Sequence, residues 1–469
     1  MLWLMADQMR GDHAGFAGHS YVQTPHLDRL ASRGAVFEQV FAQAPICGPS
    51  RACIFSGRYV HEHGVWWNGV PIRKDEPLLP EIFRDAGYRT TMAGKLHLAP
   101  AQRSFGFEHR ELHEELLLDE LDLDAYENFL AGRAGPEEST EWFNTTSGVG
   151  VCGMDAGLEE TFWVADNTCA LLEEAGADPF FHYASFVRPH SPYNPLPEFL
   201  DLYRGAAVDA PPFSTGEWEQ VPPRVRATAE SWGWDELKPK DFQEVRRHYA
   251  ALCSQVDAGV GKILQTLEAT GLADSTLVVF MSDHGDFIGE HGLLYKEHLD
   301  DGALHVPLVI AEPGRRRPMR YAGLVETIDV MPTVLELAGV PDPSPGSGRS
   351  LVPVLENPAR VHRQHVLSEW VTHCVNENGK QVREACVDPC VTSVRTDQWK
   401  YMHYHGEPGE LYDLAADPLE LMNRFGEEKT QSVVRDLRNR MPRHLLEASA
   451  LPDRGKGNPY FQRRLNTTD

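Results

Sequence analysis

Four short apolar runs end abruptly in polar residues of catalytic type. Residues 2–6 run into Asp7-Gln8, and residues 89–93 into Gly94-Lys95-Leu96-His97. Residues 180–187 run into Arg188-Pro189-His190, and residues 277–281 into Ser282-Asp283-His284-Gly285. Runs of this length read as buried strands. Between them, apolar residues recur at three- and four-residue spacing over 158–175 and 242–270, which predicts two helices, with Gly271 as the stop signal for the second. Strands alternating with helices predict an α/β fold on a largely parallel sheet. In such sheets ligands bind beyond the carboxyl ends of the strands. One polar strand end means little; four together predict a shared site.

The remaining segments are less regular. Residues 108–138 are charged and Leu-rich and read as a helical excursion or lid. Residues 211–239, rich in Pro, Trp and Glu, read as a long irregular loop. Residues 341–349 (Pro-Asp-Pro-Ser-Pro-Gly-Ser-Gly-Arg) break any regular element. They predict a main domain over 1–345 and a smaller C-terminal one over 346–469, expected to carry a small antiparallel sheet and a terminal helix. Residues 391–395, 399–404 and Leu411-Tyr412-Asp413-Leu414 supply strand-like sequence for that sheet.

Charge and cysteine content narrow the function classes. The formal charge of −25 argues against a nucleic-acid or anionic-membrane partner. It leaves room for an anionic substrate, because a few buried cations can dominate one pocket. No apolar run approaches the roughly 20 residues that span a bilayer. The first residues lack a basic region and a long apolar stretch, so they read as a first strand rather than a signal peptide, and a cytoplasmic location is expected. The eight cysteines are scattered, unlike a disulfide scaffold. Cys386-x-x-x-Cys390, with Cys374 upstream, is a candidate for zinc or a disulfide, although a structural zinc site takes four ligands.

The segment richest in chemistry is Cys47-Gly48-Pro49-Ser50-Arg51-Ala52-Cys53-Ile54-Phe55-Ser56-Gly57-Arg58. Pro49 suits the first turn of a helix. Cys47 then sits at the helix N-terminus, where dipole and free N–H groups favour negative charge. Alone, Cys47 would read as a structural thiol beside a helix cap. The whole segment resembles the sulfatase family signature, Cys-x-Pro-Ser-Arg followed after four residues by Ser/Thr-Gly-Arg. Asp7-Gln8-x-Arg10-x-Asp12, Thr24-Pro25-His26-Leu27-Asp28-Arg29-Leu30 and Gly94-Lys95-Leu96-His97-Leu98 also look like family landmarks. So do His190-Ser191-Pro192-Tyr193, Ser282-Asp283-His284-Gly285, Val394-Arg395-Thr396-Asp397-x-Trp399-Lys400-Tyr401 and Gly409-Glu410-Leu411-Tyr412-Asp413-Leu414-x-x-Asp417-Pro418. The resemblance implies an alkaline-phosphatase-like α/β domain, a mostly parallel sheet sandwiched by helices, with a small C-terminal α+β subdomain.

It also implies a chemistry. A maturase oxidises Cys47 to formylglycine, whose hydrate attacks the ester. One divalent metal is held by Asp7, Gln8, the modified Cys47, Asp283 and His284. Oxygen donors suit Ca²⁺ or Mg²⁺, and an imidazole moves the preference towards Mn²⁺. Arg51 and Lys95 hold the formylglycine and its metal. His97 deprotonates the second hydroxyl of the hydrate to expel sulfate. His190 and Lys296 bind the ester oxygen and protonate the leaving alcohol. Asn68 either touches the ester or its leaving group, or forms the Asn68-Gly69 turn. Trp66 and Trp67 either pack in the core or line the leaving-group pocket, where a quaternary ammonium would meet them by cation–π contact.

The pattern departs from the commonest form. Many sulfatases have adjacent Asp residues in the first motif and Asp-Asn in the late one, whereas this chain has Asp7-Gln8 and Asp283-His284. That resembles the branch of choline sulfatases and phosphonate monoester hydrolases. The expected substrate is a sulfate ester, with a phosphonate monoester or phosphodiester as the alternative. A scaffold that binds metal or ligand without turnover is the reading of another class, if Cys47 is never matured. A homo-oligomer stays open.

Overall fold

A computed structural model describes residues 1–114, 124–132, 140–176, 178–211, 223–314, 318–371, 390–404 and 408–441. Its centre is an eight-stranded sheet. The strands are β1 (Leu2–Asp7), β2 (Ala35–Phe41), β3 (Arg89–Gly94) and β4 (His109–Leu112), then, after a separate hairpin of β5 (Thr140–Asn144) and β6 (Val149–Cys152), β7 (Phe180–Pro189), β8 (Val278–Ser282), β9 (His305–Ala311) and β10 (Met319–Glu326). Their order is β10-β2-β9-β8-β1-β7-β3-β4. Strands β8, β1, β7, β3 and β4 run parallel, as do β10 and β2. Strand β9 runs antiparallel to both neighbours. The sheet is thus mixed and mostly parallel.

Strand β1 has no polar alternation because both its faces are covered. Leu2, Leu4 and Ala6 pack with Trp163, Val256 and Val260, from the helices Glu160–Glu174 and Pro239–Ala269. Trp3 and Met5 pack with Ile54, Phe55, Leu79 and Val334, from the helices Cys47–Ser56, Leu79–Asp85 and Val330–Ala338. The three layers aim the carboxyl ends of β1, β3, β7 and β8 at one edge of the molecule, where Asp7, Lys95, His190 and Asp283 follow.

A second sheet, β11 (Val366–Val371), β12 (Cys390–Arg395), β13 (Trp399–Tyr404) and β14 (Glu410–Asp413), is antiparallel throughout. Val434 and Leu437 of the helix Gln431–Arg440 pack against Val394 and Tyr401. Buried Lys400 ties this sheet to the body, with Nζ 2.8 Å from both Asp301 Oδ1 and Glu420 Oε1. Residues 341–349 carry no helix or strand.

Two expectations need correction. The charged segment 108–138 opens as a strand, β4, before the helix Ala125–Ala131. A strand of only four residues, with Arg110 and Glu111 among them, suits the sheet edge where β4 lies. The stretch 211–239 contains a helix, Pro223–Trp232, and a 3₁₀ turn, Trp234–Glu236. Pro223 starts that helix, where a missing N–H costs nothing. Cys374 and Cys386 lie outside the described residues, and Cys390 opens β12. Cys47, Cys53, Cys152, Cys169 and Cys253 are buried free thiols. Among the described residues no helix is long and apolar enough to cross a membrane.

The end of β4 is pinned by a buried ion cluster. His113 Nδ1 lies 3.3 Å from Asp124 Oδ2, and its Nε2 lies 3.1 Å from Glu160 Oε2. Burial opposes the charge on His113, but the two carboxylates outweigh it and push its pKa up to about 10. A folded pKa above the unfolded value of about 6.5 gives stability that is fully present below pH 6.5 and lost as pH rises through 10. The difference in unfolding free energy between wild type and His113→Asn should therefore shrink from pH 6.5 to 10, at a slope on the order of 1.4 kcal/mol per pH unit. Urea denaturation at several pH values measures it, and a pH-independent difference would refute a charged His113.

Candidate active site

The site is built around the helix Cys47–Ser56. All ten residues are buried, which explains why the segment lacks a polar face. Gly57 ends it at φ +64, a left-handed conformation suited to glycine. Ile46 at the N-cap supplies no side-chain cap. Asn68 Oδ1 takes that place, accepting the Gly48 N–H at 2.9 Å. Asn68 also sits in the predicted turn, with Gly69 at φ +79. Its side chain is thus committed to the helix Cys47–Ser56. Trp67 is buried and Trp66 packs beside it, in a cluster with Ile46, Leu299 and Trp370.

Cys47 is buried, and its Sγ lies 3.2 Å from His284 Nε2, 3.2 Å from Lys296 Nζ and 3.7 Å from Asp7 Oδ1. Asp7, Cys47, Asp283 and His284 each offer a ligand atom within 4.8 Å of the others, and all four are buried. His284 Nδ1 lies 3.0 Å from Gly285 O, so this nitrogen donates and Nε2 is left to face Asp7 and Cys47. Burial lowers the pKa of His284, favouring the neutral ring that ligates metals. Gln8 Nε2 donates to Asp286 Oδ2 at 2.6 Å, which turns Oε1 towards Lys296 Nζ at 2.7 Å. Two carboxylates and an imidazole brought this close fit a divalent cation.

The cations surround this group. Arg51 is fully buried and donates to Asp283 Oδ2 (2.8 Å), Asp7 Oδ2 (3.1 Å), Lys95 O (2.6 Å), Tyr183 Oη (3.1 Å) and Ser185 Oγ (2.9 Å). Lys95 Nζ lies 2.8 Å from Asp7 Oδ2. Burial alone would raise the pKa of Asp7, but Lys95, His190, Arg51 and Lys296 hold it well below the usual carboxylate range. Lys296 Nζ lies 2.6 Å from His190 Nε2, and His190 Nδ1 lies 2.6 Å from Ser191 O. His97 is buried beside the same cations; burial first, then Lys95 and Arg51, keep its pKa well below the ordinary value. Tyr183, Ser185, Asp286 and Glu114 were missed by sequence reasoning. The first two face Arg51 from within β7, Asp286 lies three residues past Asp283, and Glu114 follows β4.

Residues 1–340 match the family described as Sulfatase, and residues 289–446 match the one described as N-sulphoglucosamine sulphohydrolase, C-terminal. The chain belongs to the sulfatase family. This sulfatase is 30% identical over 443 residues to a choline-sulfatase of Rhizobium meliloti (strain 1021), covering 90% of this chain and 81% of that one. It is 28% identical to an arylsulfatase of Clostridium perfringens (strain 13 / Type A), covering 93% and 92% respectively. Among solved structures it is similar to the phosphonate monoester hydrolase from Silicibacter pomeroyi, with TM-score 0.81 and 25% identity over 96% of this chain and 95% of that one. The mostly parallel sheet with a small C-terminal antiparallel sheet is the alkaline-phosphatase-like architecture of these relatives.

Proposed function

We propose that this sulfatase hydrolyses a sulfate ester of a small alcohol, with residue 47 as the nucleophile after oxidation of its thiol to formylglycine. The observation that carries this reading is the position of Cys47 Sγ, at a helix N-terminus and within 3.2 Å of both Lys296 Nζ and His284 Nε2. Sγ stands where the oxygens of the hydrated aldehyde would lie. The hydrate would supply an oxygen nucleophile, and a divalent metal on Asp7, Gln8, Asp283 and His284 would lower its pKa and neutralise ester oxygens.

The other steps belong to side chains. Lys296 and His190 converge on one point beside residue 47, where the ester's leaving oxygen would lie. His190 Nδ1 donates to Ser191 O and its Nε2 faces Lys296 Nζ, so His190 or Lys296 gives the leaving alcohol its proton. Arg51 and Lys95 fix Asp7 and Asp283, so that the positive field is in place before the ester binds. His97 takes the proton whose removal releases sulfate and restores the aldehyde.

Mass spectrometry of the peptide containing residue 47, from protein co-expressed with a formylglycine-generating maturase, should show a loss of about 18 Da, the change from CH₂SH to CHO. An unshifted thiol in such a preparation would overturn the nucleophile and favour a binding scaffold. The similarity to a phosphonate monoester hydrolase favours a second reading, a phosphonate monoester or phosphodiester as substrate. Turnover of aryl sulfate, aryl phosphonate and aryl phosphodiester by one preparation ranks the two. The sulfate reading expects the highest kcat/KM on aryl sulfate.

A further inference from the structure

Glu114 comes from a segment whose sequence carries no motif, yet it ends beside the proposed base. Strand β4 stops at Leu112, His113 N donates to Gly94 O at 3.0 Å, and Glu114 N donates to Asp124 Oδ2 at 2.7 Å. Asp124 also caps the helix Ala125–Ala131, so the backbone at 113–114 is held from both sides. The Glu114 side chain is 1% exposed. Its Oε1 accepts two successive backbone N–H groups, Leu96 at 3.1 Å and His97 at 2.6 Å. Successive N–H groups on one anion form a nest. This one sits where support is needed, because His97 adopts φ +57, a conformation that L side chains avoid.

The second oxygen faces the ring. Glu114 Oε2 lies 3.5 Å from His97 Nδ1. Among the described residues neither atom has a hydrogen-bond partner, and His97 Nε2 has none either. A gap of 3.5 Å is long for a hydrogen bond, and such contacts tighten when a ligand arrives. A carboxylate on one imidazole nitrogen dictates which nitrogen carries the proton.

We propose that Glu114 is a positioning residue for His97: Oε1 sets the backbone at 96–97, and Oε2 keeps the proton on Nδ1, leaving the Nε2 lone pair as the base. The proposal rests on the role given to His97 above. Glu114→Gln keeps the shape and an acceptor for the two N–H groups, but it turns an NH₂ donor on Nδ1 and drives the proton to Nε2. It should lower kcat about ten- to a hundred-fold, with KM falling by a similar factor and kcat/KM within about twofold, because the slowed step follows departure of the alcohol, and with an enzyme–sulfate adduct accumulating, as in His97→Ala. Added to His97→Ala, it should slow turnover by no more than about twofold, since the two side chains act as one unit. The ¹⁵N resonances of the His97 ring, assigned by their loss in His97→Ala, should report Nδ1–H in wild type and Nε2–H in Glu114→Gln.

An unchanged kcat in Glu114→Gln would overturn the proposal. So would a further tenfold loss in the His97→Ala background. If Glu114→Gln does not fold, the wild-type tautomer decides: Nδ1–H supports the proposal and Nε2–H overturns it. Full activity in His97→Ala would sink the base assignment instead, while the tautomer would still decide whether Glu114 orients the ring.

Discussion

Cys47→Ala should lower turnover by about 10⁴-fold or more, the scale at which loss of a covalent nucleophile leaves only binding and electrostatic effects. The fold should survive. Cys47 is the first residue of its helix, alanine is a good helix former, and the Asn68 cap reaches Gly48 rather than residue 47. The thiol is lined by Lys296, His284 and Asp7, and removing one sulfur atom takes away little volume. Its loss should therefore shift Tm by only a few degrees, within the range of minor core changes. Steady-state kinetics on an aryl sulfate, beside a thermal melt, separate the two effects. Residual activity above about one per cent of wild type in a protein with native Tm would mean that residue 47 does not attack the ester. Lost activity with a collapsed melt would mean that the structural account of the helix is wrong. Restoration by a maturase is ruled out in this variant, because alanine has no thiol to oxidise.

Much of this site is legible in the sequence because parallel strands put it there. Asp7, Lys95, His190 and Asp283 each stand just after or at the end of a buried apolar run, and parallel pairing carries those ends to one edge of the sheet. What stays hidden is contributed sideways. Tyr183 and Ser185 lie within β7, where a reader expects core, and their hydroxyls face Arg51 because the helix Cys47–Ser56 packs over that part of the strand. Glu114 is one acid in a charged, Leu-rich stretch, and nothing local marks it apart. Its partners Leu96 and His97 are distant in sequence and are brought near by the pairing of β3 with β4. The helix Pro223–Trp232 was obscured by proline and tryptophan content, although Pro223 stands where a helix tolerates it. Strand β9 was also unmarked: its reversed direction is set by the pairing with β2 and β8 rather than by its own residues.

Arg51→Met should destabilise the protein by about 3–5 kcal/mol, the cost of removing one partner from a buried ion network. The methionine fills similar volume, so the loss measures charge and hydrogen bonds more than packing. Arg51 answers two carboxylates at once. Asp7 keeps Lys95 at 2.8 Å when the guanidinium is gone. Among the described residues Asp283 keeps two backbone N–H donors on Oδ1, from Gln8 at 3.1 Å and His284 at 2.9 Å, with the His284 ring 3.8 Å away, and loses the Nε donor on Oδ2. The uncompensated charge thus falls mainly on Asp283. Adding Asp283→Asn to Arg51→Met should therefore recover part of the loss, because the orphaned charge is removed with its partner. A divalent cation should act in the same direction. Ca²⁺ or Mn²⁺ that binds the folded state stabilises it by mass action, and the gain in Tm over an EDTA-treated sample should be larger for Arg51→Met than for wild type if the cation neutralises the same carboxylates. Chemical denaturation of the four proteins in the cycle, with and without cation, measures both couplings. If Arg51→Met lies within about 0.5 kcal/mol of wild type, the range of a neutral surface change, then the buried contacts of Arg51 with Asp7 and Asp283 add little net stability to the cation-free fold.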